Sequence, residues 1–394
     1  MYEAFLKSAG YWWIQLDRLL NKIFGSRFNF VYYHSSWPSL VFWLEVLTGI
    51  FIFMYFVPTL EGAYASVSWF TTTVPYGSIV RSLHRYGGDA FVIFSLLHLL
   101  RVWLTDRYRA SRTNQWISGV VMLAFVFFIG ISGYVLAWDE RAILITQVTA
   151  DALRQIPGAG VWLSGFFLGG PAINDLTLSR FLFFHIGLPF LFFFLMWWHF
   201  YRISRAVVYP PRALQLMAFG TLLVVAALYP AVSTATPGNP VLPPAGMEVD
   251  WFFLLPYVLT ASLPAVQVVA LLLFITVVLF FLPYYTQRPY TNVAEVIVEK
   301  CVGCYICAKD CTANAIIMVP TAVQRGSKPK FLAQVLEARC VECGICVGSC
   351  AFQAIELPGY REKALDEMVV ALAKGDAPDH KIAGRGAPPS VRGA

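Results

Sequence analysis

The chain has 394 residues, of which 58% are hydrophobic and only 13% are charged. Soluble proteins carry about 25% charged residues, so this composition excludes an ordinary soluble enzyme and predicts a membrane protein. The net charge of +6 is scattered among short loops without a continuous basic stripe, which argues against a nucleic-acid partner.

The N-terminal segment, residues 1–37, begins MYEAFLKSAGYWWIQLDRLLNKIFG, in which Trp and Leu are interleaved with Lys and Arg. This amphipathic pattern predicts a helix that lies on the membrane surface.

Six apolar stretches follow, and a helix of roughly 20 residues crosses about 30 Å of hydrocarbon. They are span A at 38–57, B at 89–104, C at 116–137, D at 181–203, E at 214–232 and F at 265–285. Span B reaches the required length if its helix begins near Ile79. The sequence therefore predicts an all-α membrane bundle of six transmembrane helices over residues 38–285.

Lys and Arg residues predict the orientation of this bundle. The segments before A, between B and C, and between D and E are basic, whereas the remaining connections carry fewer cations, so the positive-inside rule makes these three segments cytoplasmic. With six spans, the chain after F and the C-terminus are cytoplasmic as well. The cations concerned are Lys7, Arg18, Lys22, Arg27, Arg101, Arg107, Arg109, Arg112, Arg202, Arg205 and Arg212.

Four of the six histidines stand at matched spacing within the spans. His84 and His98 lie 14 residues apart in B, and His185 and His199 lie 14 apart in D. Fourteen residues are close to four helical turns, so each pair shares one helix face at a separation of about 21 Å. Two such helices can face each other and supply two stacked bis-imidazole sites for haem iron. The alternative is four hydrogen-bonded core histidines, which two identical spacings make a poor explanation.

Small residues repeat the same period. Gly119 and Gly133 lie 14 residues apart in C, and in A Gly49 follows Ser35 at the same distance. Missing side chains let a flat macrocycle approach the backbone. Ordinary close packing of helices is the alternative, but the period shared with the histidines favours clearance for haem.

All eight cysteines fall within residues 301–350, in the runs CVGCYICAKDC and CVECGICVGSC. Each run has the spacing C-x2-C-x2-C-x3-C, which is typical of iron–sulfur ligands. Disulfides and structural zinc are the alternatives, and both suit such tight triplets less well than cubane clusters. The thiolates also imply a reducing compartment, in agreement with a cytoplasmic position.

Three stretches resemble the cytochrome b of bc1 and b6f complexes: GAYASVSWFTTTVPYGSIVRSLHR, the span from Gly119 through GYVLAW, and TLSRFLFFH. The resemblance covers roughly residues 38–285. It implies that His84 and His185 hold an outer-side, low-potential haem b, and that His98 and His199 hold a cytoplasmic-side, high-potential one. The haem environment implied by the resemblance and the shared period also includes Gly49, Gly119 and Gly133.

The same resemblance places Arg81, Arg85 and Arg180 near the haem propionates, although arginines at these positions also fit simple snorkelling to the interface.

The resemblance further implies a quinol-oxidising pocket on the outer side, next to a Pro-Glu-Trp-Tyr sequence. Here the matching stretch reads VDWF, so the acid is Asp250, and Ala137 replaces a usual proline in the neighbouring segment. Asp250 is a candidate quinol proton acceptor. It equally fits a solvated loop acid, and these departures leave the outer site open.

Two further positions depart from the family or lie near its second quinone site. Glu45 occupies the middle of A, where the family usually has glutamine, and a buried acid in a membrane is a candidate functional residue or a protonated, hydrogen-bonded one. On the cytoplasmic side, His34 and Arg202 are candidate contacts for a quinone, and His34 also fits an ordinary interfacial histidine.

The cysteine runs resemble the bacterial two-cluster ferredoxin over about residues 291–357, an α+β domain. In that pattern the fourth cysteine of each run binds the other cluster. The resemblance thus implies two [4Fe–4S] clusters. One is held by Cys301, Cys304, Cys307 and Cys350, and the other by Cys340, Cys343, Cys346 and Cys311. The domain is predicted over residues 286–360, and a tail over residues 361–394 is expected to be disordered at its end.

These features predict a membrane electron-transfer subunit of a quinone-linked oxidoreductase complex. Electrons would pass between a low-potential cytoplasmic partner, two clusters, two b haems and the quinone pool. A second hypothesis reverses the flow, with quinol oxidised outside and electrons leaving through the clusters to a cytoplasmic reductase. A third is a membrane anchor without redox function.

The expected setting is the cell inner (plasma) membrane, with lipid and quinone as small partners. Other subunits are expected as well: a c-type cytochrome or Rieske-like protein outside, and a ferredoxin or flavoprotein on the cytoplasmic side.

Overall fold

The computed structural model describes residues 2–25, 28–105, 108–109, 112–201, 207–234, 236–240, 253–286, 293–311, 313–321, 330–340 and 345–357. The chain divides into two compact units. The first, called the helical unit, comprises residues 1–108, 115–199 and 207–285. The second, called the cysteine-rich unit, comprises residues 286–394 with the short segments 109–114 and 200–206.

The helical unit is built from eleven described helices. They are α1 (Tyr2–Phe24), α2 (Trp37–Phe53), α3 (Gly62–Thr72), α4 (Gly77–Leu104), α5 (Thr113–Leu136), α6 (Glu140–Arg154), α7 (Gly160–Leu168), α8 (Asp175–Tyr201), α9 (Arg212–Leu228), α10 (Leu255–Leu259) and α11 (Ala265–Tyr285).

Among the described residues, four helices are long and apolar enough to cross a membrane: α4, α5, α8 and α11. They correspond to predicted spans B, C, D and F. The helices at spans A and E, α2 and α9, are apolar but have only 17 residues each. At 1.5 Å per residue such helices measure about 25 Å, a little less than the hydrocarbon thickness. The prediction of six spans is therefore met by four long helices and two short ones.

Prolines explain why two predicted spans end early. Span A was predicted to continue to residue 57, but α2 ends at Phe53, shortly before Pro58. Span E was predicted to continue to residue 232, but α9 ends at Leu228, and Tyr229 precedes Pro230. The ring of a proline disfavours helical geometry in the residue before it, so the chain leaves the helix ahead of each proline.

Two other predicted bounds change in the opposite direction. As expected from its length, span B begins earlier than its apolar core, because α4 starts at Gly77. Span D also begins earlier, at Asp175. There the Asn174 side chain accepts a hydrogen bond from the Leu176 N–H at 2.8 Å, and the Thr177 hydroxyl accepts one from the Asn174 N–H at 3.0 Å. These polar side chains satisfy backbone groups at the helix start.

The predicted N-terminal helix is confirmed as α1, and it is anchored to the ends of α4 and α5. Leu6 is buried in a cluster with Tyr108 and Trp116. The Tyr2 hydroxyl lies 2.6 Å from the Tyr108 hydroxyl and accepts a hydrogen bond from the Trp103 indole at 2.9 Å. Its position at a membrane surface remains a prediction.

Three phenylalanines form the centre of the helical unit. Phe42 of α2, Phe91 of α4 and Phe192 of α8 are all buried, and their ring centroids lie 5.2–6.4 Å apart. Phe91 and Phe192 each follow a histidine of the predicted pairs by seven residues. Because seven residues are about two helical turns, the phenylalanine cluster lies halfway between the two histidine levels.

The cysteine-rich unit contains short elements of both kinds. They are β1 (Glu295–Val296), α12 (Ile306–Asp310), β2 (Ile316–Thr321), β3 (Lys330–Val335), a 3-10 turn at Glu337–Arg339, α13 (Ile345–Gly348) and β4 (Ile355–Glu356). β1 pairs with β4, and β2 pairs with β3, both antiparallel. Each cysteine run is followed by a helical turn and then a strand. This α+β content is as predicted, while the assignment to a ferredoxin fold remains a proposal.

Candidate functional site

The two predicted histidine pairs come together between α4 and α8. The ring centroids of His84 and His185 lie 6.1 Å apart, and those of His98 and His199 lie 6.3 Å apart. The planes of the rings make angles of 73° and 74°. α4 and α8 therefore run in the same direction and place two similar imidazole pairs one above the other.

These separations suit an iron atom bound on both sides. Bonds from imidazole nitrogen to a transition metal are about 2 Å long, and each ring centroid lies about 1 Å behind its nitrogen, which predicts a centroid separation of about 6 Å. Both pairs match this value. A direct hydrogen bond between two imidazoles would bring the rings closer than two metal bonds in series, so the spacing fits haem iron.

Hydrogen bonds fix the tautomer of three of the four rings. The Ser132 hydroxyl lies 3.0 Å from Nδ1 of His185, and the Ile129 carbonyl lies 2.9 Å from the same atom. A carbonyl can only accept, so Nδ1 of His185 carries the hydrogen. The Nε2 lone pair of that ring is then available to a metal.

The same pattern holds at His84 and His199. The Thr48 hydroxyl lies 3.0 Å from Nδ1 of His84, and the Ser118 hydroxyl lies 2.9 Å from Nδ1 of His199. Each hydroxyl donates its own hydrogen to a carbonyl of its helix, Thr48 to Leu44 and Ser118 to Gln115. The hydroxyl oxygens therefore accept from the imidazole N–H groups, which orients these rings as second partners orient metal-bound histidines.

The glycines predicted to clear space contact these histidines. A Cβ added to Gly133 would lie 2.9 Å from Cε1 of His185, one at Gly49 would lie 3.2 Å from Cε1 of His84, and one at Gly119 would lie 3.5 Å from Cε1 of His199. The histidine rings thus occupy surface that a side chain at Gly133 or Gly49 would take.

Sequence reasoning missed the hydroxyl residues, although they carry a detectable signal. Thr48, Ser118 and Ser132 each directly precede one of the three glycines, so a Ser/Thr-Gly pair occurs three times with the 14-residue period. The glycine gives the ring its space, and the preceding hydroxyl gives it a hydrogen-bond acceptor.

His98 differs from the other three histidines. Its Nδ1 is buried and has no hydrogen-bond partner among the described residues. Fourteen residues before Thr48, where a fourth hydroxyl would fit the period, the chain has His34. The His34 ring lies 5.2 Å from the His98 ring, and the Arg101 guanidinium donates to Nδ1 of His34 at 2.9 Å. Arg202, the other candidate on this side, lies outside the described residues.

The three arginines predicted near haem propionates all have partners within the protein. Arg81 donates to the hydroxyls of Thr71 and Ser233 at 3.0 and 2.7 Å. Arg85 binds Asp89 and Tyr134, and Arg180 donates to the Phe166 carbonyl. Arg81 and Arg85 lie within one turn of His84 on α4, which supports a role next to that pair.

The outer quinone region is described in part. Asp250 and its neighbours Val249, Trp251 and Phe252 lie outside the described residues. Next to them, the Phe253 ring fills the space in front of Gly130 of α5. The Tyr257 hydroxyl is 3.0 Å from the Thr149 hydroxyl of α6, and burial raises the pKa of Tyr257 to about 12. This phenol is therefore a protonated hydrogen-bonding group at neutral pH.

In the cysteine-rich unit, one cavity is bordered by four cysteines. Cys301, Cys304 and Cys307 of the first run and Cys350 of the second run all line it. This is the set that the ferredoxin pattern predicts for one cluster, including the recruitment of the distant fourth cysteine. Met318, Phe352 and Ile355 supply apolar walls.

The second predicted set is described for three of its members. Cys311, Cys340 and Cys346 are buried together in the core of the unit, and Cys343 lies outside the described residues. No three His, Cys, Asp or Glu side chains among the described residues converge closely enough to hold a single metal ion. Wide spacing is what a four-iron cube requires, since its cysteine ligands surround several atoms.

The fourth cysteines of the two runs have matching hydrogen bonds. The Ala315 N–H donates to Sγ of Cys311, and the Ala354 N–H donates to Sγ of Cys350, both at 3.2 Å. Such bonds to sulfur stabilise negative charge on cluster ligands. Burial raises the pKa of the Cys307 thiol to about 11, so a thiolate there needs a neighbouring positive charge such as iron.

Comparison with known proteins gives the family of the helical unit. A family model described as cytochrome b/b6/petB matches residues 19–207, a range that includes the four paired histidines and none of the cysteines. Cytochrome b6 of Mastigocladus laminosus is 30% identical over 196 residues, which cover 50% of this chain and 91% of that protein.

Two further relatives come from quinol-oxidising complexes by their names. The cytochrome b subunit of menaquinol:cytochrome c reductase from Geobacillus thermodenitrificans is 33% identical over 184 residues, covering 46% of this chain and 82% of that protein. A chain of a hyperthermophilic respiratory Complex III structure has a TM-score of 0.55 and 18% identity, covering 66% of this chain and 76% of that chain. At that identity the structural likeness supports the fold alone.

The helices and the paired histidines define a helical membrane protein with the cytochrome b fold. With the sequence matches, the chain belongs to the cytochrome b/b6 family. Membership implies membrane electron transfer with haem b and quinone.

Proposed function

We propose that this protein is an electron-transfer subunit that links a low-potential redox partner, through two [4Fe–4S] clusters and two b haems, to the quinone pool. The observation that carries the proposal is the presence of two facing histidine pairs with nearly equal ring separations, 6.1 and 6.3 Å.

His84 with His185, and His98 with His199, are the proposed axial ligands. Haem b, when bound, supplies a one-electron Fe(III)/Fe(II) couple at each level of the bundle. The protein's own residues do the rest: Thr48, Ser118 and Ser132 hold three of the rings in the tautomer that exposes Nε2. The phenylalanine cluster keeps the space between the two levels apolar.

The proposed cluster ligands are Cys301, Cys304, Cys307 and Cys350 for one cluster, and Cys311, Cys340, Cys343 and Cys346 for the other. The cavity lined by the first four supports this assignment, because it joins cysteines from opposite ends of the domain. The buried position of Cys307, Cys311, Cys340 and Cys346 supports it as well, since clusters then take the place of a larger aliphatic core.

The proposed setting is an inner (plasma) membrane, with the N-terminus, the cysteine-rich unit and the C-terminus on the cytoplasmic side. On that side a ferredoxin or flavoprotein would exchange electrons with the clusters. On the opposite side a c-type cytochrome or Rieske-like subunit is a proposed partner, with Asp250 as the proposed acceptor of a quinol proton.

A kinetic experiment on the full chain in detergent tests this route. Protein with both cofactor types is mixed anaerobically with a chemically reduced low-potential ferredoxin, and haem absorption is followed over time. We expect haem reduction in the wild type and at least a tenfold slower reduction in Cys350→Ala, since this change removes a ligand that joins the two cysteine runs.

Menaquinol-driven reduction of the haems in the same variant reports whether the helical unit is still intact. Haem reduction by ferredoxin at the wild-type rate in Cys350→Ala would contradict the proposed route. A wild-type chain without any b-type haem absorption would instead support a membrane anchor.

A further inference from the structure

The carboxyl group of Glu45 contacts one proposed haem ligand and none of the other three in the hydrogen bonds described. Glu45 lies in the middle of α2, and its Oε2 is 3.2 Å from Nδ1 of His84. The second carboxyl oxygen, Oε1, is buried and has no hydrogen-bond partner among the described residues. A buried acid inside a membrane helix is costly, so its retention calls for a function.

Two consecutive glycines of α4 make room for this carboxyl group. A Cβ added to Gly87 would overlap with Oε1 of Glu45, whereas one at Gly88 would lie 3.9 Å from Oε2, an ordinary contact. Gly87 follows His84 by three residues and therefore lies on the same side of α4. The glycine thus admits the acid to the position from which it reaches the histidine.

The hydrogen bond at this contact has a definite direction. Nδ1 of His84 also lies 3.0 Å from the Thr48 hydroxyl, which donates its hydrogen to the Leu44 carbonyl. The hydroxyl oxygen and the Glu45 oxygen are therefore both acceptors for the same N–H. At His199 and His185, by contrast, the acceptors seen are a serine hydroxyl and, for His185, a backbone carbonyl.

We propose that Glu45 is a positioning residue that lowers the redox potential of the haem held by His84 and His185, by accepting the Nδ1 hydrogen of His84. Acceptance by a carboxyl oxygen raises the basicity of a metal-bound imidazole. A more basic ligand stabilises the oxidised iron more than the reduced iron. The proposal rests on the proposed function, because it requires that this pair binds haem.

The first test is a redox titration of the full chain carrying Glu45→Gln. We expect the potential of one haem to rise by at least a tenfold change in its oxidised-to-reduced ratio, about 59 mV for a one-electron couple, with the other haem unchanged. A His98→Ala background, which retains only the His84–His185 site, identifies the haem that shifts. A change in the low-spin EPR signal of the same haem accompanies the shift.

Two glycine variants provide a matched pair that keeps the carboxyl group in the chain. Gly87→Ala forces the carboxyl away from His84, so we expect a rise of the same haem potential, smaller than in Glu45→Gln. Gly88→Ala adds the same methyl one residue further along and is expected to change neither potential.

The outcomes separate the two proposals. Two haems with unchanged potentials in both Glu45→Gln and Gly87→Ala would overturn the role of Glu45 and leave the haem assignment intact. A shift confined to the haem lost in His98→Ala, or an equal shift in Gly88→Ala, would overturn it as well. Absence of haem from the wild type would overturn the proposed function itself.

Discussion

The two histidine pairs have nearly the same spacing but different surroundings. At His84 and His185, both Nδ1 atoms have acceptors: a threonine hydroxyl and a carboxyl group at one, a serine hydroxyl and a carbonyl at the other. In the other pair, His199 has a serine hydroxyl, whereas the buried Nδ1 of His98 has no hydrogen-bond partner among the described residues and lies beside the His34 ring.

This difference teaches that two kinds of information build the site. The spacing of 14 residues on two parallel helices sets the ring separations, and both levels therefore look alike. The neighbours of each ring come from α2 and α5 and differ between the levels. We expect the helix geometry to decide whether haem binds, and the neighbours to decide the redox potential.

The largest expected effect tests whether the two levels are independent. His185→Ala and His199→Ala should each lower the haem content from two per chain to one, because each removes one axial ligand. The measurement is a pyridine haemochrome assay related to protein concentration. Loss of both haems from either variant, with helical circular dichroism retained, would contradict independent sites separated by the phenylalanine cluster.

An intermediate effect is expected from the glycines that face the rings. Gly133→Ala places a methyl 2.9 Å from the His185 ring, whereas Gly119→Ala places one 3.5 Å from the His199 ring. Overpacking costs about 1–3 kcal/mol, so haem should leave the Gly133→Ala protein faster, on the order of tenfold.

Transfer of haem to excess apomyoglobin measures this rate, and Gly119→Ala is the matched control with little expected change. Equal rates for the two variants would show that the rings move freely away from the glycines.

The smallest expected effect concerns the charge next to His34. Arg101 donates to Nδ1 of His34, whose ring lies 5.2 Å from that of His98. A nearby cation disfavours oxidised iron, so Arg101→Gln should lower the potential of the His98–His199 haem, by less than the 59 mV or so of a tenfold change.

Redox titration measures the shift, and the haem of the other pair should not respond. Arg154→Gln, which removes an exposed arginine at the end of α6, serves as the control and should leave both potentials unchanged. A shift of the wrong sign, or one shared by both haems, would show that Arg101 does not act locally.

Much of the site could be predicted from sequence because it depends on positions along single helices. The spacing of His84, His98, His185 and His199 predicted which rings meet. The cysteine pattern predicted that Cys350 would join the first run around one cavity. Span F matches α11 from Ala265 to Tyr285.

Other features depend on how one helix is positioned against another, which residue spacing alone does not determine. The contact of Glu45 with His84, the space at Gly87, and the three hydroxyl acceptors all follow from the packing of α2 and α5 beside α4 and α8. The early ends of α2 and α9 follow from local proline chemistry that a count of apolar residues overlooks. For Asp250 and Cys343 the sequence remains the source of the assignment.

The most direct test of the account is an anaerobic redox titration of the purified full-length chain, followed in the haem absorption bands and accompanied by a haem assay. The account predicts two haems b per chain that titrate as two one-electron components of equal amplitude. A single haem per chain, or none, would contradict it.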